Sequence, residues 1–118
     1  YGQDGLDEIS MSAPTTVCEV KDGEFLSYVI TPEQFGFTRC SKDELTGGSP
    51  QDNAQIALAI LKGEKGPKRD AVVLNSAAAI HIAKGISIED AIREAQEVID
   101  SGKALAQLEQ FAALTNQE

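Results

Sequence analysis

The sequence has 118 residues, a formal net charge of −9 at pH 7, 42% hydrophobic residues and 25% charged residues. This length fits at most one domain, and the composition is that of an ordinary globular protein. The acidic balance argues against nucleic acid and against an anionic membrane as partners, because both attract clustered Lys and Arg.

The chain opens with an acidic octet, Tyr1-Gly2-Gln3-Asp4-Gly5-Leu6-Asp7-Glu8, in which two glycines stand among three carboxylates. Adjacent Asp7 and Glu8 suit Mg²⁺, which binds carboxylate oxygens while water or substrate phosphate completes its shell. A bound Mg²⁺ would also let an acidic chain accept a phosphorylated substrate. The residues by themselves favour a plainer interpretation, a solvated acidic loop, since short motifs often match by chance.

The first half of the chain has β-strand patterns. Ile9 and Met11 alternate with serines, which predicts a short strand over about residues 6–11. Residues 15–30 are rich in β-branched and aromatic side chains and predict a β-hairpin, with Asp22-Gly23 as its two-residue turn. The glycine- and proline-containing stretch 31–48 predicts a long connection with one helical turn near residues 41–45.

The second half predicts four helices, over about residues 50–62, 67–84, 88–101 and 103–115. Ser49 is a suitable N-cap for the first, with Pro50 at its first position. Ser87 and Asp90 resemble a capping box at the third. Residues 71–83 are apolar almost all round, which is typical of a buried helix.

Several polar residues of this half have both a structural and a functional interpretation. His81 is the only histidine, and we interpret it as a packed side chain with one satisfied nitrogen rather than a general base. Asn75 lies in the apolar helix and is interpreted as the partner of a backbone group rather than of a ligand.

Three further features have plain interpretations. Residues 47–50 could hold a phosphate at a helix N-terminus, but a turn and cap explain them as well. Lys68-Arg69 is interpreted as a solvated surface pair. Cys18 and Cys40 lack metal-ligand or redox spacing, so free thiols of a cytoplasmic protein are expected rather than a disulfide.

Six segments resemble, in order, those of the anthranilate phosphoribosyltransferase family. They are Gly2-Gln3-Asp4-Gly5-Leu6-Asp7-Glu8-Ile9-Ser10, Thr16-Val17-Cys18-Glu19-Val20 with Asp22-Gly23, Thr31-Pro32-Glu33-Gln34-Phe35-Gly36-Phe37, Leu45-Thr46-Gly47-Gly48 with Asp52-Asn53-Ala54, Arg69-Asp70-Ala71-Val72-Val73-Leu74-Asn75-Ser76-Ala77-Ala78, and Asp100-Ser101-Gly102-Lys103-Ala104-Leu105. Each segment is weak alone, but together they extend over nearly the whole chain.

The resemblance implies an α/β fold and transfer of phosphoribosyl from phosphoribosyl pyrophosphate (PRPP) to anthranilate in tryptophan biosynthesis. It implies that Asp7 and Glu8 are ligands of Mg²⁺, and it nominates no catalytic acid or base in this chain. A cytoplasmic homodimer is implied for the complete enzyme.

The resemblance also implies that residues 1–118 are the C-terminal part of the α/β domain. The family's Gly-Thr-Gly-Gly-Asp loop, its Lys-His-Gly-Asn segment and its N-terminal helical domain have no counterpart here. The chain begins at Tyr1 and has its only methionine at Met11, so we expect a fragment that is inactive alone. Two alternatives remain, a nucleoside phosphorylase-like enzyme fragment and a non-catalytic stand-alone domain.

Overall fold

The computed structural model describes residues 1–117, which form one antiparallel β-hairpin followed by four α-helices. The elements are β1 (Thr15–Lys21), β2 (Glu24–Ile30), α1 (Pro50–Leu61), α2 (Pro67–Lys84), α3 (Ile88–Asp100) and α4 (Lys103–Thr115). Two short 3₁₀ turns, Pro32–Phe35 and Lys42–Leu45, lie in the connection between β2 and α1. The predicted α/β class, the hairpin over 15–30 and the four helices are confirmed.

The hairpin turns at Asp22-Gly23, as its sequence predicts. Thr15 pairs with Ile30 and Lys21 with Glu24 at the two ends of the ladder. Asp22 has φ 52° and Gly23 has φ 79°. Positive φ at both central residues is the requirement of a type I′ turn, whose twist matches that of the flanking strands.

The core lies between α2 and α3 and includes one residue from the N-terminal loop. Its buried members are Met11, Val73, Leu74, Ala77, Ala91, Ile92, Ala95 and Ile99. Small residues on both helices allow the two backbones to approach closely, and Met11 fills space beside them with a flexible side chain. The N-terminal loop is therefore fixed to the helical layer by burial of an apolar side chain.

The strand predicted over residues 6–11 is wrong. This segment is an irregular loop, and the first residues are connected to the hairpin by an isolated bridge between Gly2 and Thr15 and by hydrogen bonds from Tyr1 and Gln3 to Thr16. Its backbone groups bond elsewhere: the Met11 carbonyl accepts from the Cys40 N–H at 3.0 Å, and Ile9 bonds to a side chain of α2. These bonds hold the segment as a loop instead of a strand of a ladder.

The prediction that α2 is buried all round is also wrong. Val73 and Leu74 are buried against α3, whereas Val72 is 41% exposed and Ile82 is 66% exposed. The described residues therefore leave part of the apolar surface of α2 uncovered. Within residues 1–117 no single helix combines the length and apolar composition needed to cross a bilayer. The pair α2 and α3 meets the length and composition criteria only when the two helices are counted together, and they are bent by 116°.

Arg69 is buried, which contradicts the interpretation of Lys68-Arg69 as a solvated pair. The Arg69 side chain is 3% exposed, and its guanidinium donates to both Asp100 oxygens at 2.8 and 3.1 Å. Hydrogen bonds from Arg69 hold the pKa of the Asp100 carboxyl below its ordinary value. The pair joins the start of α2 to the end of α3.

The first and third helices begin with the predicted caps. Ser49 accepts from the Asp52 N–H at 3.1 Å, and the Asp52 carboxylate accepts from the Ser49 N–H at 3.0 Å, so the capping box is complete. Ser87 accepts from the Asp90 N–H at 3.1 Å, without the reciprocal bond. Local sequence signals therefore fix where these helices start.

We predict that Gly23→Val destabilises the hairpin by about 1–2 kcal/mol, because a β-branched residue strains a left-handed backbone. No heavy atom lies within 4 Å of a Cβ built on Gly23, so steric contact does not contribute. Gly23→Asn is the matched control, since Asn tolerates this conformation. Thermal unfolding followed by circular dichroism measures both, and equal midpoints for the two variants would contradict the assigned turn.

Candidate functional site

The N-terminal loop is organised around the carboxylate of Asp4. Asp4 Oδ2 accepts from the Ser10 hydroxyl at 2.8 Å and from the Ser12 hydroxyl, and Oδ1 accepts from the Leu6 N–H at 3.4 Å. Bonds from Ser12 and Ser10 hold the pKa of the Asp4 carboxyl below its ordinary value. The Ser10 N–H donates to the buried Thr15 hydroxyl at 2.9 Å. These bonds fold the loop back upon the start of β1.

Gly2 is required by the close approach of this loop to itself. A Cβ at this position would lie 2.5 Å from Asp4 Oδ1 and 2.9 Å from the Ser10 Cβ. The Gly2 N–H donates to the Leu6 carbonyl at 2.8 Å. The first glycine of the octet therefore serves packing rather than ligand approach, and it fixes the position of Leu6.

Asp7 and Glu8 project outward from this fixed loop. Both are exposed. Within residues 1–117, neither carboxylate takes part in a hydrogen bond or an ion pair. Four oxygen atoms of two adjacent side chains are thus free to bind a cation, and Asp4, the third carboxylate of the octet, is committed to the loop itself.

The backbone immediately after Glu8 is held by a side chain of α2. The Ile9 N–H donates to Asn75 Oδ1 at 3.0 Å, and Asn75 Nδ2 donates to the Ile9 carbonyl at 3.0 Å. A third bond, from Nδ2 to the Ala71 carbonyl at 2.9 Å, ties the amide to its own helix. The interpretation that Asn75 satisfies backbone groups is confirmed.

A groove of about 620 Å³ runs beside this loop, between α1 and α2. Its polar lining residues are Glu8, Asn53, Lys68 and Asn75. The remaining lining is apolar and comprises Leu6, Ile9, Leu45, Gly47, Ile56, Ala57, Ile60, Leu61, Ala71 and Val72. An apolar groove with a few convergent polar groups is typical of a binding or docking region.

The two carboxylates fit Mg²⁺ in donor chemistry but do not enclose it. Within residues 1–117, no group of three or more His, Cys, Asp and Glu side chains is arranged to hold a metal ion. Mg²⁺ is commonly held by one or two carboxylates, with water and substrate phosphate as its other ligands. Asp7 and Glu8 match that open mode of binding and would leave most of the shell to a phosphorylated substrate.

Residues 47–50 form a turn and a cap. The Gly48 N–H donates to Asn53 Oδ1 at 2.8 Å, and Asn53 Nδ2 donates to the Gly48 carbonyl at 3.3 Å. Ser49 and Asp52 use the next backbone groups in the capping box. The N–H groups that would have bound a phosphate here are therefore partly taken by side chains.

His81 has partners at both ring nitrogens, one more than the sequence interpretation expected. Nε2 lies 2.9 Å from Glu19 Oε1 on β1, and Nδ1 faces the Ile86 carbonyl. Both partners are hydrogen-bond acceptors, so only the doubly protonated imidazole can donate a hydrogen bond to each of them. The Ile86 carbonyl and Glu19 raise the pKa of His81. The ring joins the hairpin to α2 and has no free nitrogen for base catalysis.

Glu19 is shared between His81 and Tyr28. The Tyr28 hydroxyl donates to Glu19 Oε2 at 2.9 Å. Bonds from Tyr28 and His81 lower the pKa of Glu19, while burial and Glu19 raise the pKa of Tyr28 to about 12. Cys18 and Cys40 are both free thiols, as expected.

Sequence reasoning missed two parts of this arrangement. It assigned no partner to Asp4, although serines at alternate positions 10 and 12 offer two hydroxyls on one side of the chain. It also did not connect Asn75 with Ile9, because the two are 66 residues apart. The sequence signal for the contact between Asn75 and Ile9 was the presence of a polar residue in an otherwise apolar helix.

Comparison with known proteins gives consistent results. Residues 1–105 match the family described as "Glycosyl transferase family, a/b domain". The chain is 62% identical over 117 residues to the anthranilate phosphoribosyltransferase of Methanobrevibacter smithii, covering 98% of this chain and 35% of that protein. The chain therefore spans about a third of the length of this curated relative.

Solved structures are similar over the same extent. Anthranilate phosphoribosyltransferase from Thermus thermophilus is 38% identical with a TM-score of 0.84, covering 93% of this chain and 33% of that one. The enzyme from Saccharomyces cerevisiae in complex with PRPP and Mg is 29% identical with a TM-score of 0.85, covering 94% and 32%. These similarities include the hairpin and the helices together.

We predict that the His81–Glu19 bond makes stability depend on pH. A raised His81 pKa contributes stability that is complete below its ordinary value of 6.5 and lost as pH rises through the folded value. The lowered Glu19 pKa contributes stability that is present above 4.5 and lost as pH falls through the folded value. The positive charge of nearby Lys21 acts in the opposite direction and lowers the pKa of His81.

The unfolding midpoint temperature should therefore decrease as pH rises above about 6.5, and His81→Gln should reduce that decrease. Gln keeps a donor toward Glu19 but does not titrate. Thermal melts of both proteins at several pH values measure this effect. Both proteins contain the same cysteines, so the difference between their two pH curves cancels the contribution of the thiols. Parallel curves for the two proteins would mean that the His81 bond adds no pH-dependent stability.

Proposed function

Because the chain belongs to the glycosyl transferase family with this α/β domain, we propose that it is part of an anthranilate phosphoribosyltransferase. The complete enzyme would transfer phosphoribosyl from PRPP to the amine of anthranilate and release pyrophosphate, a step of tryptophan biosynthesis. The observation that carries the proposal is the exposed Asp7–Glu8 pair, held on a fixed loop with both carboxylates free. The named relatives support this substrate choice over a nucleoside phosphorylase.

In this proposal Asp7 and Glu8 bind Mg²⁺ beside the diphosphate of PRPP. The bound ion would neutralise negative charge that grows on the leaving pyrophosphate and would orient the substrate. The protein's own contribution is to hold two carboxylates at fixed positions. A substrate bound there would be oriented for reaction, so less translational and rotational entropy would be lost when the reacting groups meet. Neither residue exchanges a proton in the reaction.

We further propose that residues 1–118 are the C-terminal part of the enzyme's α/β domain. Coverage of about a third of each relative supports the assignment to a part of a longer protein. So do the exposed apolar side chains of α2 and of the hairpin, among them Ile82 and Phe25, which is 78% exposed. The C-terminal position in the domain is what the family resemblance implies. An N-terminal helical domain and the first half of the α/β domain would then complete the substrate site. Homodimerisation and a cytoplasmic location stay predictions of the family resemblance.

We predict that Asp7→Asn and Glu8→Gln, in the complete polypeptide, raise the Mg²⁺ concentration for half-maximal activity by about ten-fold or more. Changes to the partners of metal ligands already cost ten- to a hundred-fold in metal affinity, so a change to a ligand should cost at least as much. Amide oxygens are weaker ligands for a hard cation. A Mg²⁺ titration of activity beside a melting curve measures both effects.

Glu24→Gln is the control, since Glu24 is an exposed carboxylate at the turn of the hairpin. The melting temperatures of all three variants should stay close to that of the wild type, because exposed surface substitutions rarely change stability much. A lowered melting temperature with an unchanged Mg²⁺ titration in the Asp7 and Glu8 variants would assign them a structural role and remove them from the site.

We also predict that the 118-residue chain alone does not transfer phosphoribosyl groups. An assay with PRPP, Mg²⁺ and anthranilate tests this, and the complete polypeptide is the positive control. Turnover by the short chain at about 1 s⁻¹ or more, a rate common among enzymes, would refute the domain proposal. Inactivity of the complete polypeptide with anthranilate would instead refute the proposed reaction.

A further inference from the structure

We infer that Asn75 is a positioning residue that sets the location of the Asp7 and Glu8 carboxylates and thereby their affinity for the metal. This inference rests on the proposed function, since it assumes that the two carboxylates bind Mg²⁺. Asn75 does not touch the metal in this account. It acts through the backbone of Ile9, the residue that follows Glu8.

The Asn75 amide is fully used in holding this backbone. Its oxygen accepts from the Ile9 N–H, and its nitrogen donates to the Ile9 and Ala71 carbonyls, all at 2.9–3.0 Å. An amide side chain has two donor hydrogens, and both are engaged. The bond to Ala71 fixes the amide plane relative to α2. The pair of bonds to Ile9 then fixes the peptide groups on both sides of that residue.

The other end of the carboxylate pair is held independently. The Leu6 carbonyl accepts from Gly2, and the Leu6 N–H donates to Asp4. Asp7 and Glu8 are therefore the two residues between anchored Leu6 and anchored Ile9. Their side chains are exposed, but the backbone that carries them is fixed at both ends.

Asn75 is well placed to transmit rigidity because its neighbours on α2 are in the core. Val73 and Leu74 are 1% and 0% exposed and pack against α3. The amide is thus connected to the most buried part of the molecule. Removing it would free the Ile9 end of the pair while Asp4 and Gly2 continue to hold the Leu6 end.

The test compares Asn75→Ala and Asn75→Gln in the complete polypeptide. Alanine removes the amide, whereas glutamine keeps its groups but displaces them by one methylene. Asn53→Ala is the matched control, because Asn53 lines the same groove and makes the same two-bond contact with the backbone of Gly48. Asp7→Asn and Glu8→Gln serve as reference variants for the metal itself.

Two measurements are made on each variant. Mn²⁺ replaces Mg²⁺, and its free concentration is followed by electron paramagnetic resonance without any substrate. The Mg²⁺ concentration for half-maximal activity is measured separately, beside a melting curve. We expect both Asn75 variants to weaken Mn²⁺ binding by about ten-fold, the lower end of the range for residues that orient metal ligands. Asn53→Ala should leave Mn²⁺ binding unchanged.

The outcomes separate this inference from the proposed function. Unchanged Mn²⁺ binding in the Asn75 variants, with weaker binding in the Asp7 and Glu8 variants, overturns the positioning role alone. Unchanged binding in all of them overturns the metal site and the inference with it. Equal weakening in Asn53→Ala and Asn75→Ala also overturns the inference, because it indicates a general loss of fold.

If the Asn75 variants do not fold, hydrogen exchange in the wild type gives the answer. The Ile9 amide should exchange more slowly than the amides of Asp7 and Glu8, which donate no described hydrogen bond. An Ile9 amide that exchanges as fast as its two neighbours would show that Asn75 does not hold the loop, and the inference would be refuted.

Discussion

The packing of α2 against α3 is the constraint on which the rest of this structure depends. Val73, Leu74 and Ala77 bury one face of α2, and this fixes the helix in position. Four polar residues of α2 then connect other elements to it. Arg69 bonds to the end of α3, Lys68 to the Glu44 carbonyl, Asn75 to the N-terminal loop and His81 to the hairpin. The apolar face determines where the helix lies, and the polar residues determine what is attached.

This arrangement explains which parts of the fold the sequence predicts. The hairpin turn, the caps at Ser49 and Ser87 and the four helices depend on residues close together in the chain. Their signals are local, such as the left-handed backbone at Asp22-Gly23. These elements could therefore be placed within about one residue of their observed ends.

Two of the errors involve contacts between distant residues. Burial of Arg69 depends on Asp100, 31 positions later, and the loop at residues 6–11 depends on Asn75, 66 positions after Ile9. Hydrophobic alternation cannot distinguish a strand from a loop whose backbone bonds to a helix side chain. For Asp7–Glu8 the residues alone favoured a solvated acidic loop, and the family resemblance nominated the pair as Mg²⁺ ligands. The parts that hold the pair in place required the three-dimensional structure.

The contact between Asn75 and Ile9 involves main-chain atoms only on the loop side. Such a contact is indifferent to which side chains the neighbouring residues carry. Folding therefore imposes little preference on the identities of residues 7 and 8, and two adjacent acids are an electrostatically unfavourable choice in a chain of net charge −9. The hydrogen bonds that fold this loop therefore do not account for the presence of two acids at these positions.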